Sequence, residues 1–263
     1  MSVSEQRSLP RTAEERYLDL LKLCLMGLAV SEPHTVPFEG GKAPVPLSAA
    51  DVADRLEGRD WPLEGFTMIG EKRLDNLREC VEDVLAKGIP GDFIEAGAWR
   101  GGAAIFLRAL LELRSVTDRV VVVADSFEGL PAPDPERFPR DAGSGAHLIP
   151  LLSVPLETVK ANFSRFGLLD DQVRFVKGWF RDTLPSLVGQ TWAVIRLDGD
   201  LYESTMVGLE SLYPDLSPGG YLIIDDYALG PCRRAVHDYR EAHGISEPIE
   251  RVDGTGVYWQ KAG

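Results

Sequence analysis

Short apolar runs alternate with amphipathic segments along the chain from residue 92 onward. The runs "DFIEAGA", "RVVVVADSF", "VRFVKGWF", "WAVIRLDGD" and "GGYLIIDDYA" are apolar throughout rather than at every second position. Such runs are typical of parallel strands that helices cover on both faces. The segments between them predict helices over 101–113, 156–166, 181–188, 202–213 and 231–243. The pattern therefore predicts an α/β fold with a doubly wound, Rossmann-like sheet.

The two ends of the pattern predict further elements. "EPIERVDG" and "GVYWQK" are separated by a turn and predict a terminal antiparallel hairpin. Upstream, "EKRLDNLRECVEDVLAKG" places its apolar residues on one helical face and stops at Gly88, a suitable C-terminal cap. The apolar run 20–30 predicts the buried face of an N-terminal helix.

Two irregular segments interrupt these elements. Residues 31–65 are rich in Pro and Gly and predict one short helix, which begins near Ser48 as its N-cap. Residues 128–155 are long enough to form a lid or a substrate loop. We predict one domain over 1–263, with an N-terminal helical, lid-like extension over 1–65 and a lid-like loop over 128–155.

Composition and charge exclude some partners. The 263 residues are 44% hydrophobic and 26% charged, as in a soluble globular protein. The net charge of −13 repels nucleic acid, whose binding requires Lys and Arg to neutralise phosphates, and it disfavours an anionic membrane surface. We therefore expect neither a nucleic acid nor a membrane partner.

The cysteines indicate the compartment. Cys24, Cys80 and Cys232 are odd in number and form no C-x-x-C pair, so neither a disulfide framework nor a zinc site is predicted. A reducing cytoplasm suits such a set. The apolar run 20–30 is too short to span a bilayer, and acidic residues precede it where a signal peptide would be positive.

The first strand ends in a glycine-rich turn, "EAGAWRGGAAIF". In an open α/β sheet, ligands bind outside the carboxyl ends of the strands. Gly97, Gly101 and Gly102 would let the backbone approach a ligand there, although an ordinary strand-to-helix turn can carry the same glycines. The spacing departs from the G-x-G-x-x-G dinucleotide fingerprint. Glu95 inside the turn argues against the pyrophosphate of NAD and suits a sulfonium or ammonium group.

The next two strand ends predict a nucleoside cleft. Asp125 is placed to accept hydrogen bonds from both ribose hydroxyls. Trp179 and Phe180 offer flat faces for a purine, although core packing would explain them equally well. Arg73 and Arg100 are candidates to meet a ligand carboxylate, with a surface ion pair as the alternative.

Four acids follow the fourth and fifth strands. Asp198 and Asp200 end one, and Asp225 and Asp226 end the other. Because adjacent strands lie about 5 Å apart, these carboxylates would repel one another unless a cation lay among them. Oxygen ligands favour a hard dication, and Mg²⁺ fits a site with two or three carboxylates. The alternative is that Asp200 caps the helix beginning near Tyr202 and that Asp225 and Asp226 are turn residues.

The histidines carry less information. His34 and His147 fall in the irregular segments, where either could reach a substrate or be simply solvated. His237 and His243 lie in or near a predicted surface helix.

Six motifs together resemble the macrocin O-methyltransferase family in order and spacing. They are "GFTMIGEKRLDNLR", "DFIEAGAWRGGAAIF", "ADSFEGLP", "GWFRDTLP", "RLDGDLYEST" and "GGYLIIDDY", and the similarity covers about residues 12–260. The resemblance implies a class I methyltransferase fold with a seven-stranded sheet. It also implies that S-adenosylmethionine and Mg²⁺ are used to methylate a deoxysugar hydroxyl on a glycosylated natural product such as a macrolide or an aminocoumarin.

The resemblance also implies roles for individual residues. The metal ligands would be Asp198, Asp225 and Asp226. Asp200 resembles a general base of some members, and the base is left open between Asp198 and Asp200 because a metal-bound carboxylate is the weaker base. The implied cofactor-binding residues are Met68, Glu95, Gly97, Ala98, Arg100, Asp125, Ser126, Gly178, Trp179 and Asp198.

The implied reaction needs an activated hydroxyl. A sugar hydroxyl has a pKa far above neutral, comparable to that of water at about 15.7, and Mg²⁺ lowers it. Asp198 or Asp200 would then take the proton as the oxygen attacks the sulfonium methyl in line.

Other functions are weighed against this one. Catechol O-methyltransferases share a similar metal arrangement but usually have Asn in the place of Asp226, which disfavours a catechol or phenolic acceptor. An NAD-dependent oxidoreductase would need the missing fingerprint, and a non-catalytic binding module could have lost the metal acids. The outer side of the N-terminal helix could be buried in a partner subunit, so a homodimer is a further prediction.

Overall fold

A computed structural model describes residues 12–37, 43–49 and 51–263. Within these ranges a seven-stranded sheet has helices on both faces, which confirms the predicted α/β architecture. The helices are α1 Ala13–Leu25, α2 Val52–Leu56, α3 Glu71–Ala86, α4 Gly102–Leu113, α5 Leu156–Arg165, α6 Phe180–Thr183, α7 Tyr202–Leu212 and α8 Gly230–His243. The strands are β1 His34–Thr35, β2 Val45–Pro46, β3 Asp92–Ala96, β4 Val121–Asp125, β5 Val173–Lys177, β6 Trp192–Leu197, β7 Leu216–Ile224, β8 Glu250–Arg251 and β9 Val257–Gln260.

The strand order explains where a ligand can bind. It runs β5-β4-β3-β6-β7-β9-β8, with β3 to β7 mutually parallel and with β8 and β9 forming the predicted antiparallel hairpin. The chain switches direction of winding between β3 and β6, which is the position where open α/β sheets bind ligands. Leu197 at the end of β6 pairs with Ile224 at the end of β7. The acids that follow these two residues therefore emerge side by side.

Apolar layers cover both faces of the sheet. Adjacent residues of β3 point to opposite layers: Phe93 joins the cluster containing α1, α3, α4 and α5, while Ile94 joins the one containing α7 and α8. Both side chains are completely buried. This two-sided burial is the physical reason that the strand runs are continuously apolar.

The N-terminal helix matches its prediction, but the short helix after it begins later than predicted. Leu18, Leu21 and Leu25 form the buried face of α1. The N-cap of α2 is Asp51 rather than Ser48, whose hydroxyl accepts from the amide of Asp51 at 3.3 Å and so caps the turn that leads into the helix.

Further predictions concern the N-terminal extension, the outer side of α1 and the cysteines. Residues 1–11, 38–42 and 50 of the predicted 1–65 extension lie outside the described residues. The homodimer stays a prediction; on the outer side of α1, Leu20 and Leu23 are exposed. Over the described ranges no helix is both long and apolar enough to cross a membrane. The three cysteines are free thiols.

Two glycines at the turn from α3 into β3 give a stability prediction. Both have positive φ, 64° at Gly88 and 120° at Gly91. A Cβ at Gly91 would lie 2.5 Å from the backbone carbon of Trp192, whereas one at Gly88 would meet nothing within 4 Å. We expect Gly88→Ala to lower the free energy of unfolding by about 1–2 kcal/mol and Gly91→Ala by roughly 2–5 kcal/mol. Urea denaturation of both variants checks this, and equal losses would contradict it.

Candidate active site

A cavity of about 420 Å³ opens at the carboxyl ends of the parallel strands. The ends of β3, β4, β6 and β7 form its floor, and residues 58–61 and parts of 129–152 contribute to its walls. This is the edge at which the sequence predicted a ligand.

The glycine-rich turn after β3 packs directly on the turn after β6. Gly97 has φ of 94°, and a Cβ there would lie 1.7 Å from the carbonyl oxygen of Asp198. The carboxylate of Asp125 holds the same turn from the other side, since it accepts hydrogen bonds from the amides of Ala98 at 2.7 Å and Phe127 at 2.7 Å. The backbone of this turn is thereby fixed at the cavity wall.

Most of the predicted nucleoside residues line the cavity. Met68, Asp125, Ser126 and Trp179 do so together with Phe180, Glu95, Gly97 and Ala98. Gly178 lies behind this surface, and its amide donates to the carbonyl of Asp125 at 2.9 Å. Its positive φ of 145° lets the chain turn from β5 into α6.

Three of the four acids come together closely. Asp198, Asp225 and Asp226 each offer a carboxylate oxygen within 4.8 Å of the others. Asp200 lies beside them, and its amide donates to Oδ2 of Asp226 at 2.9 Å. Its φ of 57° is rare for a residue with a side chain and is maintained by contacts on both sides.

The alternative role of Asp200 as a helix cap is wrong. The N-cap of α7 is Leu201, and the free amides of Tyr202 and Glu203 donate at 2.7 and 3.0 Å to the carboxylate of Asp141. Asp141 lies 61 residues earlier in the 128–155 loop, so no local pattern could have identified it.

Sequence reasoning missed Arg196, which lies at the centre of the acids. Its side chain is 3% exposed. Nη1 lies 2.5 Å from Glu95, and Nη2 lies 2.9 Å from Asp198 and 2.5 Å from Asp225. The sequence did contain a signal for this role, because a charged residue within the apolar run "WAVIRL" must be paired with acids when it is buried. The expectation that only a bound ion could relieve the repulsion among these acids was therefore incomplete.

Arg73 from α3 adds a second cation. It forms an ion pair with Asp225, and its Nε lies 2.9 Å from Asp253. Its Nη2 donates to the carbonyl of Gly58 at 3.0 Å. Arg73 lines the cavity but is 7% exposed, so its pairing is internal rather than the surface ion pair considered above.

The acids differ in their proton affinity. Burial acts to raise the pKa of Asp225, but Arg196 and Arg73 outweigh it and hold the pKa below its ordinary value. Burial raises the pKa of Asp226 well above the ordinary range, and the neighbouring acids raise it further. Burial and nearby acids raise the pKa of Asp200 to about 7. Burial raises the pKa of Glu95 to about 8 although Arg196 opposes the shift.

Arg100, which was predicted to contact a ligand, has other partners. Arg100 does not line the cavity; its Nη1 donates to the carbonyls of Pro62, Leu63 and Gly65 at 3.2, 2.7 and 2.7 Å. This is a correction: Arg100 fixes the 62–65 backbone instead of facing a ligand carboxylate.

His34 and His147 also lie outside the cavity lining. Nδ1 of His34 lies 2.9 Å from Glu64, while Nδ1 of His147 is buried without a hydrogen-bond partner among the described residues. Neither histidine lies beside the acids that follow β6 and β7.

The 128–155 loop supplies an apolar wall of the same cavity. Leu130, Pro131, Ile149 and Leu152 line the cavity, and the indole nitrogen of Trp99 donates to the carbonyl of Leu151 at 2.8 Å. One cavity therefore combines a tight turn, a cluster of carboxylates and an apolar wall, which is an arrangement suited to two ligands and a cation.

Comparisons with known proteins agree with this geometry. Residues 14–261 match the family model described as macrocin-O-methyltransferase (TylF). The 8-demethyl-8-(2,3-dimethoxy-alpha-L-rhamnosyl)-tetracenomycin-C 4'-O-methyltransferase of Streptomyces olivaceus is 54% identical over 258 residues, which cover 94% of this chain and 93% of that protein. Mycinamicin III 3''-O-methyltransferase of Micromonospora griseorubida is 48% identical over 257 residues, which cover 96% and 99% of the two chains.

A solved structure gives the same result. The structure of the O-methyltransferase NovP superposes with a TM-score of 0.86 at 45% identity, and the match covers 94% of this chain and 99% of that one. The chain therefore belongs to the macrocin-O-methyltransferase family and is an O-methyltransferase.

Proposed function

We propose that this enzyme transfers a methyl group from S-adenosylmethionine to a sugar hydroxyl of a glycosylated small molecule, with the assistance of Mg²⁺. The observation that carries the proposal is the placement of Asp198, Asp225 and Asp226 in the same cavity as the glycine-rich turn after β3. The relatives named for 4'-O- and 3''-O-methylation, the first of a rhamnosyl-tetracenomycin and the second of mycinamicin III, support a glycosidic acceptor.

The residues at the β3 and β4 ends fit S-adenosylmethionine. Oε2 of Glu95 is buried without a hydrogen-bond partner among the described residues, and Glu95 lines the cavity, so this oxygen can accept from an ammonium group. When bound, the cofactor supplies a methyl group on a positively charged sulfur. Met68, Gly97 and Ala98 would contact its amino-acid part, and the ribose and adenine would lie against Asp125, Ser126, Gly178 and Trp179.

The acids at the β6 and β7 ends fit Mg²⁺. Their oxygens are the donors that this ion prefers, and the like charges that raise the pKa of Asp226 would be relieved by a dication. Arg196 and Arg73 keep Asp225 ionised, as a ligand must be. When bound, the ion supplies Lewis acidity that lowers the pKa of a hydroxyl. Asp198, Asp225 and Asp226 would hold it.

Asp200 is the better candidate for the general base. It lines the cavity, and no side chain in the described part of the protein pairs with its carboxylate, whereas Asp198 is paired with Arg196. Asp200 would accept the proton of the acceptor hydroxyl as the methyl group is transferred. Its position on the cavity wall beside the proposed metal ligands would keep the carboxylate close to the reacting atoms.

The acceptor would lie between the acids and the apolar wall. We propose that residues 58–61 and the 128–155 loop of the same domain enclose it, with the sugar toward the acids and the aglycone toward residues such as Trp61, Leu130 and Ile149. A glycosylated small molecule is therefore the proposed partner.

The cofactor gives the first test of this function. We expect S-adenosylhomocysteine at about 100 times its Kd to stabilise the protein by roughly 2.7 kcal/mol, which raises Tm by about 5–10 °C in a thermal-shift measurement. NADH is the matched control and should cause no shift. Stabilisation by NADH but not by S-adenosylhomocysteine would refute the assignment.

Removal of one metal ligand gives the second test. We expect Asp198→Asn to lower turnover by at least roughly 100-fold because the donor set loses a carboxylate. Mn²⁺ binding, followed by electron paramagnetic resonance as a probe for Mg²⁺, should weaken in parallel, while S-adenosylhomocysteine still binds. Glu210→Gln, which removes the charge of an exposed acid on α7, should change neither quantity. Full activity of Asp198→Asn, or of wild-type enzyme in EDTA, would exclude the metal role.

The acceptor class gives the third test. A rhamnosylated aromatic polyketide, its aglycone and catechol are offered in parallel, and transfer of the labelled methyl group is followed by mass spectrometry. We expect methylation of the glycoside on its sugar alone, because only the sugar reaches the acids. Transfer to catechol in preference to the glycoside would overturn the proposal.

A further inference from the structure

We propose that Asp141 is a positioning residue, which holds the turn carrying Asp198 and Asp200 and couples it to the loop that encloses the acceptor. The inference rests on the proposed function for its kinetic consequences. Its structural basis is independent: the Asp141 side chain is 1% exposed, and its two oxygens accept hydrogen bonds from the first two amides of α7.

Helix α7 needs a carboxylate from elsewhere in the chain. The first amides of a helix have no partner within it, and a nearby side-chain oxygen normally accepts from them. Here the N-cap is Leu201, which has no such oxygen, and Asp200 donates its own amide to Asp226. Asp141 fills this role from the 128–155 loop, and its negative charge suits the positive end of the helix.

The turn between β6 and α7 is therefore held from two sides. Asp226 accepts from the amide of Asp200 at 2.9 Å, and Asp141 accepts from the amide of Tyr202 at 2.7 Å, two residues further on. Asp200 lies between these contacts in a left-handed conformation that needs support from its surroundings. Loss of one contact would let the proposed base move relative to the acceptor.

The same loop reaches the cavity on both sides of Asp141. Leu130 precedes it and Ile149 and Leu152 follow it in the apolar wall. Pro139–Asp141 forms a short 3₁₀ turn against α7, and the ring of Phe138 lies 6.3 Å from that of Tyr202. Asp141 therefore connects the apolar wall formed by the 128–155 loop with the turn between β6 and α7 that carries the proposed base.

The test compares Asp141→Ala and Asp141→Asn with Glu136→Ala, which removes an exposed acid from the same loop. We expect Asp141→Ala to lower kcat by about 10- to 100-fold, since a misplacement of about 1 Å costs roughly that much. The Kd of S-adenosylhomocysteine should stay unchanged, because the Asp141 carboxylate accepts from the amides of Tyr202 and Glu203, whereas the proposed cofactor residues lie at the β3 and β4 ends. Asp141→Asn keeps one carbonyl acceptor and should lie between wild type and Asp141→Ala.

The outcomes separate positioning from a purely structural role. A lower Tm with unchanged kcat, an equal loss in kcat and in cofactor affinity, or the same kinetic loss in Glu136→Ala would overturn the proposal. If Asp141→Ala does not fold, Asp141→Asn carries the comparison.

A hydrogen-exchange measurement distinguishes failure of this inference from failure of the proposed function. If the wild-type enzyme methylates no glycoside, the coupling is still tested by exchange in Asp141→Ala. We expect faster exchange both at the amides of Tyr202 and Glu203 and across the 128–155 loop. Faster exchange in only one of the two regions would show that they are not coupled.

Discussion

The buried charge of Arg196 is the interaction on which the rest of the site depends. It is the last residue but one of a fully buried strand and contacts acids from three adjacent strand ends, Glu95, Asp198 and Asp225. A buried arginine without such partners would be strongly unfavourable, and so would the acids without it. The charges therefore fix one another, and the sheet is built around a polar centre at the edge where its ligands enter. Arg73 extends this centre to α3 and to the carbonyl of Gly58 in the cavity wall.

The strand ends and the loops contribute different parts of the site. The strand ends supply the turn, the acids and the arginine, whose positions follow from strand register. The loops supply the apolar wall of the cavity. Under the proposed function, the acids that act in the reaction lie at strand ends, while the residues that contact the acceptor lie on loops whose sequence can vary with less damage to the core.

Much of the fold could be predicted because a sheet that is buried on both faces requires strands that are apolar at every position. Continuously apolar runs gave β3, β4 and β6, and acids at the ends of β6 and β7 indicated one shared site. The start of α2 was misplaced because Ser48 resembles a cap locally, while its hydroxyl bonds Asp51 in the preceding turn. Local signals of this kind cannot report which of two neighbouring turns becomes helical.

The missed features of the site are those that depend on distant segments. Asp141 and the α7 amides are 61 or more residues apart, and Arg73 and Asp225 are 152 apart, so no spacing rule links them. Arg100 was misassigned because its partners are backbone carbonyls, which carry no sequence signature. Arg196 differs, because a cation within an apolar strand is visible in the sequence and indicates buried acidic partners.

The tight packing of Gly97 against Asp198 has a consequence for redesign of the enzyme. A side-chain carbon at position 97 would come within 1.7 Å of the Asp198 carbonyl oxygen. The turn after β3 and the turn after β6 must therefore be kept together in any chimaera. Exchange of acceptor preference between relatives should then require residues 58–61 and the 128–155 loop to be transplanted together, provided that each graft retains an acid at the position of Asp141.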